Sequence, residues 1–79
     1  MKDTEQRVKL IVSETLAIEN VSNDKSFSDL GADSLEIYEL LSAIEAEFGI
    51  EISDGDVGGI RTTREIVDYL LVRGVGGRE

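Results

Sequence analysis

The chain predicts an all-α fold, a small antiparallel bundle of three main helices with a short, weak fourth turn. Three observations predict it. Apolar residues recur at helical spacing in three separated stretches. Each stretch opens on Asp or Thr with Glu or Gln three residues later, the pattern of a capping box: Asp3 with Gln6, Asp33 with Glu36, Thr62 with Glu65. The one apolar–polar alternation, Ile50-Glu51-Ile52-Ser53, is too brief for a sheet and has no second strand to pair with. A length of 79 residues bounds this to one small domain with a single modest core, residues 1–73, followed by a flexible tail at 74–79.

The first helix is expected from Asp3 to about Leu16, with Val8, Ile11, Val12, Thr15 and Leu16 on its inner side. Residues 17–33 carry Asn, Ser, Asp and Gly without a sustained period, which is turn chemistry. Val21, Phe27 and Leu30 are its candidate anchors to the core. A connection this long without regular structure is uncommon in a compact domain and often functional. The second helix is expected from Ser34 to Phe48, stopping at Gly49. At about 100° per residue, Ile37, Leu40, Leu41, Ile44 and Phe48 fall in one apolar stripe. Leu35 points away from it, among acids. Residues 54–60 hold one helical turn at best, because Gly55, Gly58 and Gly59 weaken it. Thr62 and Glu65 then open a last helix with Ile66, Val67, Tyr69 and Leu70, for which Gly74 is the stop. The remaining GVGGRE reads as a mobile tail.

Composition excludes several function classes. With no cysteine and no histidine, the chain has no disulfide framework, no thiolate metal site and no imidazole general base. No apolar run approaches membrane-spanning length, and the first residues lack the apolar stretch of a signal peptide, so a cytoplasmic location is expected. The net charge of −9 comes from 17 acids against 8 bases, and its placement matters more than its size. Between Phe27 and Ile60 stand Asp29, Asp33, Glu36, Glu39, Glu45, Glu47, Glu51, Asp54 and Asp56, with no Lys or Arg. The rest of the chain is neutral. Such a field repels nucleic acid and anionic membranes and draws basic protein surfaces. The plain alternative is a solvated face that aids solubility.

Ser34, at the centre of Asp33-Ser34-Leu35-Glu36, is the residue to explain. One reading is structural: Asp33 and Glu36 satisfy the free amides of the helix start, and Ser34 is an ordinary first-turn residue. That leaves the outward Leu35 unexplained. A nucleophile reading fails, because a serine hydroxyl needs a base or a neighbouring cation to activate it, and the surroundings are acidic. An attachment reading fits. A serine at a helix N-terminus is exposed, and the helix dipole favours an added phosphate there. The enzyme adding the group supplies the chemistry, so no base is needed in the chain.

The stretch Leu30-Gly31-Ala32-Asp33-Ser34-Leu35-Glu36 resembles the phosphopantetheine-attachment motif of the acyl carrier proteins. The resemblance extends over nearly the whole chain, through Glu5-Gln6-Arg7-Val8-Lys9, Phe27, Glu45-Ala46-Glu47-Phe48, Glu51-Ile52, Ile60-Arg61-Thr62-Thr63 and Asp68-Tyr69. It implies that Ser34 carries 4′-phosphopantetheine through a phosphodiester and that acyl groups ride on the terminal thiol as thioesters. The working thiol then arrives on the prosthetic group, and the chain is a carrier, not an enzyme. The resemblance implies further that Asp33, Leu35, Glu36, Glu39, Glu45 and Glu47 meet basic surfaces of a phosphopantetheinyl transferase and of synthase and acyl-transferring enzymes. It makes Val12, Leu40, Leu41, Ile44, Ile52, Val57, Ile60 and Tyr69 candidates to line an acyl pocket, each with plain core as its alternative role. A discrete, monomeric carrier without nucleic-acid or stable membrane binding is expected.

The chain departs from the family pattern at Ser53, where proline is frequent, and at Gly58-Gly59, where stronger helix formers stand. The family's third helix is therefore expected to be short or mobile. Ile37 and Tyr38 are bulkier than usual after the motif, and Tyr38 is near enough to Ser34 to touch a prosthetic arm. These differences leave the cargo open among fatty-acid, polyketide and related acyl groups. Two rival readings remain: an acidic helical adaptor with unmodified Ser34, and a calcium loop from Asp54 to Glu65. The latter places acids at positions 1, 3 and 12 and a glycine at position 6 of an EF-hand-like pattern.

Overall fold

The computed structural model describes residues 2–74, as four helices: α1 (Lys2–Leu16), α2 (Ser34–Phe48), α3 (Asp54–Val57) and α4 (Thr63–Val72). Among the described residues there is no strand. One isolated antiparallel bridge joins Ser26 to Thr62, with the Phe27 amide donating to the Arg61 carbonyl at 2.8 Å. Ile50–Ser53 is accordingly a connecting segment whose Ile52 is buried.

α1 starts at Lys2, one residue before the expected Asp3. The box expected of Asp3 and Gln6 rests on the Asp3 side chain, which lies outside the described residues. Val8 and Val12 are fully buried four residues apart, with Thr4 on the same line, and Ile11 and Leu16 are half-buried beside them. The helix ends on Ala17, whose φ of 57° is left-handed. Such a conformation costs a residue with a Cβ roughly 1–2 kcal/mol. Two hydrogen bonds offset it: the Ile18 amide donates to the Ser13 carbonyl at 3.1 Å, and the Ser13 hydroxyl donates to the Ile18 carbonyl.

α2 runs antiparallel to α1. Arg7, early in α1, pairs with Glu47, late in α2, at 2.6 Å, and its guanidinium lies 4.5 Å from the centre of the Phe48 ring. The expected stripe is the buried one: Leu40, Leu41 and Ile44 are buried, with Ile37 and Phe48 half-buried against them. Gly49 ends the helix at a φ of 68°, its amide donating to the Glu45 carbonyl at 2.8 Å. α1 also packs against α4, which contributes Ile66 and Leu70 to the same core. α4 opens on the Thr62–Glu65 capping box and ends at Val72, with Gly74 left-handed just beyond. Of the tail expected at 74–79, residues 75–79 lie outside the described residues.

Phe27 pins the long connection to the bundle. It is 1% exposed, and burying such a ring is worth about 1.5–3 kcal/mol. Val21 and Leu30 pack half-buried against the same core. α3 is the weak turn that its glycines foretell: four residues, none buried, with no side-chain cap from Ser53.

Candidate functional site

The start of α2 is built by a run of turns hung on Phe27. The Phe27 carbonyl accepts from the Leu30 and Ala32 amides at 3.1 and 3.0 Å, and the Ser28 carbonyl accepts from the Gly31 amide at 3.0 Å. Gly31 sits at a φ of 97°, which a side chain would strain, so glycine makes this approach possible. The chain then extends through Asp33 (φ −92°, ψ −179°) and enters the helix at Ser34. The expected capping box is present. The Glu36 amide donates to Asp33 Oδ1 at 2.8 Å, and the Asp33 amide donates to Glu36 Oε1 at 3.0 Å. Asp33, not Ser34, is therefore the cap. Ser34 is left exposed on the first turn of a 15-residue helix, with no structural task of its own. An exposed hydroxyl beside free helix-start amides suits a phosphodiester.

Leu35 and Tyr38 stand out from α2 at 64% and 69% exposure, beside exposed Glu39. The acids expected to meet basic partner surfaces differ in what they contact. Asp33 and Glu36 form the capping box at the start of α2, and Glu39 is exposed one turn further on. Glu45 is half-buried and accepts from the Ile52 amide at 2.6 Å, so it braces the segment after α2. Glu47 faces α1 through Arg7. The acyl-pocket candidates likewise divide. Val12, Leu40, Leu41, Ile44, Ile52 and Ile60 belong to the buried core cluster. Val57 and Ile60 line a cleft of about 360 Å³ with Ile37, next to the start of α2. Ile60 and Tyr69 line a second cleft, also of about 360 Å³, between α3 and α4.

A clasp joins α3 to α4. The Tyr69 hydroxyl donates to Asp56 Oδ2 at 2.9 Å, the Arg73 guanidinium reaches the same oxygen at 3.3 Å, and that guanidinium lies 4.4 Å from the centre of the Tyr69 ring. The Tyr69 hydroxyl, then the Ser53 hydroxyl and the charge of Arg73, hold the Asp56 carboxyl below its ordinary pKa. Burial and the bond to Asp56 raise the Tyr69 phenol. These contacts count against the calcium loop. Asp56 is engaged by Tyr69 and Arg73, Glu65 accepts from the Arg61 and Thr62 amides, and residues 54–57 are helical where that loop would have to wrap an ion.

Sequence reasoning missed the surroundings of Arg61. There the residue enters only as part of the family resemblance. The tertiary structure sets it in the cleft beside α2, with Ser26 and Ser28. Its one sequence signal is its place as the first base after the acidic 27–60 segment.

Residues 6–70 match the family model described as the phosphopantetheine attachment site. An acyl carrier protein of Zymomonas mobilis is 48% identical over 73 residues, covering 89% of this chain and 94% of its own. Acyl carrier protein 2 of Pseudomonas aeruginosa is 45% identical over 73 residues, covering 89% and 92%. Among solved structures, a chain from Mycobacterium tuberculosis assigned as an acyl carrier protein superposes with a TM-score of 0.82 at 26% identity, covering 89% of this chain and 97% of that one. The family match takes in the turns, the capping box and Ser34 alike, and with identity near one half to curated carriers it follows that the chain belongs to the acyl carrier proteins, the family that bears phosphopantetheine.

Proposed function

We propose that Ser34 is the residue that carries 4′-phosphopantetheine. One observation carries the reading: the capping of α2 is done by Asp33 and Glu36, so the exposed hydroxyl of Ser34 is not needed by the fold. In attachment, Ser34 Oγ forms the new bond to phosphorus and gives up its proton, while the diphosphate bond of coenzyme A breaks and the nucleotide leaves. When bound, the group supplies a thiol that holds acyl groups as thioesters. The chain's own part is to hold Ser34 at a rigid helix start and to present Leu35, Glu36 and Glu39 to basic transferase, synthase and acyl-transferring surfaces. Charge there serves encounter and orientation, and Leu35 serves as a small apolar anchor. The reading extends to a cytoplasmic, monomeric, single-domain carrier that is not itself a catalyst, with fatty-acid, polyketide or related acyl groups as cargo. In keeping with this, no helix among the described residues is long and apolar enough to cross a membrane.

The test is the intact mass after incubation with coenzyme A and a broad-specificity phosphopantetheinyl transferase. A gain of one phosphopantetheine is expected for the wild type and none for Ser34→Ala. A gain retained by Ser34→Ala would move attachment elsewhere. No gain in a folded wild type would favour the adaptor reading.

A further inference from the structure

The cleft beside α2 holds a basic side chain that attachment at Ser34 does not use. Arg7, Arg64 and Arg73 each pair with a carboxylate, on Glu47, Asp24 and Asp56 respectively. Among the described residues, Arg61 has no such partner. Its Nε donates to the Gly58 carbonyl at 3.1 Å, which orients the guanidinium and leaves its terminal nitrogens available. Arg61 is exposed, so its guanidinium is free to meet a ligand in the cleft that it helps to line.

The cleft supplies the rest of such a site. Ile37, Val57 and Ile60 give it an apolar wall, while Ser26, Ser28 and Arg61 give it hydrogen-bond donors, and no acid lines it. The Ser26 hydroxyl accepts from the Asp29 amide at 3.1 Å, so its own proton remains free to be donated. Ile37 lies three residues after Ser34 on the same helix, about one turn, so the cleft opens beside the attachment serine. A cleft lined by both an apolar wall and an arginine fits a short acyl chain ending in a carboxylate. Its methylenes would lie on the wall, and its two oxygens would meet the planar fork.

Resting on attachment at Ser34, we propose that Arg61 is a specificity residue that favours acyl groups ending in a carboxylate over those of equal length ending in a methyl. The chain is loaded with glutaryl- or pentanoyl-phosphopantetheine from the corresponding coenzyme A thioesters, and loading is verified by intact mass. Two quantities are then read. One is the rate at which hydroxylamine cleaves each thioester, relative to the same thioester on coenzyme A. The other is the NMR position of the Arg61 Nε–H resonance.

The protein is expected to protect the glutaryl thioester about two- to fivefold more than the pentanoyl one, which is what an exposed ion pair can supply. The Arg61 resonance should move with glutaryl cargo only. Arg61→Gln should erase the difference in protection, and Arg61→Lys should keep part of it. Equal protection and an unmoved resonance in a fully loaded chain would overturn the cargo assignment alone. A resonance that already moves on phosphopantetheine without an acyl group would overturn it too, by giving Arg61 to the phosphate. No mass gain in the wild type would overturn attachment itself, and the cargo assignment with it. Should Arg61→Gln lose its helical circular dichroism, the wild-type NMR comparison still decides.

Discussion

At Asp56 one carboxylate oxygen does two jobs, accepting from the Tyr69 hydroxyl and pairing with Arg73. Its pKa is lowered in the fold, so the folded chain favours the charged form. That contribution is complete above the unfolded value, about 3.9 for an aspartate, and is lost as pH falls through the lower folded value. Asp56→Asn should therefore be less stable than wild type at pH 7, and the gap should close as pH falls below about 4. Thermal midpoints by circular dichroism across pH 7 to 2.5 check this, and a gap independent of pH would show the clasp to be electrostatically idle. Ser34 shows the same scale from the side of function. Its neighbours Asp33 and Glu36 announce the cap in sequence, and the structure adds that Ser34 has no part in it. The docking role expected of Glu45 could not be weighed in sequence against its hydrogen bond to the Ile52 amide, because that contact depends on how the chain turns after Gly49.

At the scale of elements, α2 was legible to the residue and α4 at its start, while α4 ends at Val72, two residues before the expected stop at Gly74. Apolar period, capping box and terminal glycine all agree for α2, and such agreement across levels is what specifies an element. α3 was legible as weak, for the stated reason of three glycines within seven residues. The glycines nonetheless differ. Gly58 is in the right-handed helical region (φ −66°, ψ −19°), and a Cβ placed there would meet nothing within 4 Å. Gly58→Ala should stabilise the chain by about 0.4–1 kcal/mol, by narrowing the unfolded ensemble. Gly31→Ala, at a φ of 97°, should destabilise it by about 1–2 kcal/mol. Urea titrations of the two variants check the opposite signs. If Gly58→Ala were destabilising, the α3 turn would owe its conformation to strain the glycine relieves.

For the whole molecule, one buried core joins α1, α2 and α4, and α3 reaches it through half-buried Val57. A stability of about 0.05–0.15 kcal/mol per residue leaves a chain this short roughly 4–12 kcal/mol in all. Ile44 is fully buried at its centre, so Ile44→Ala should cost about 2–5 kcal/mol, a large share of that total. Val57, half-buried at the cleft, should cost clearly less when cut to Ala. Equal losses in a urea titration would mean that the cleft wall is as tightly packed as the core.

Helix periods, caps and the clustering of acids around Ser34 are local in the chain, written within a few residues of one another. For that reason the bundle, its breaks and the attachment motif could be read from the amino-acid order. Which candidate pocket residues meet is a different kind of question. Val12, Leu40, Leu41 and Ile44 share their apolar character with Val57 and Ile60, yet the first four only close the core, whereas half-buried Val57 and Ile60, itself a core residue, also line the cleft. Hydrophobicity drives burial without direction, so it cannot say which buried surface faces a void. Arg61 is the same case with charge. Its proximity to Ser26, Ser28 and Ile37 comes from the bridge between Ser26 and Thr62, which joins segments far apart in the chain and leaves no periodic trace in either.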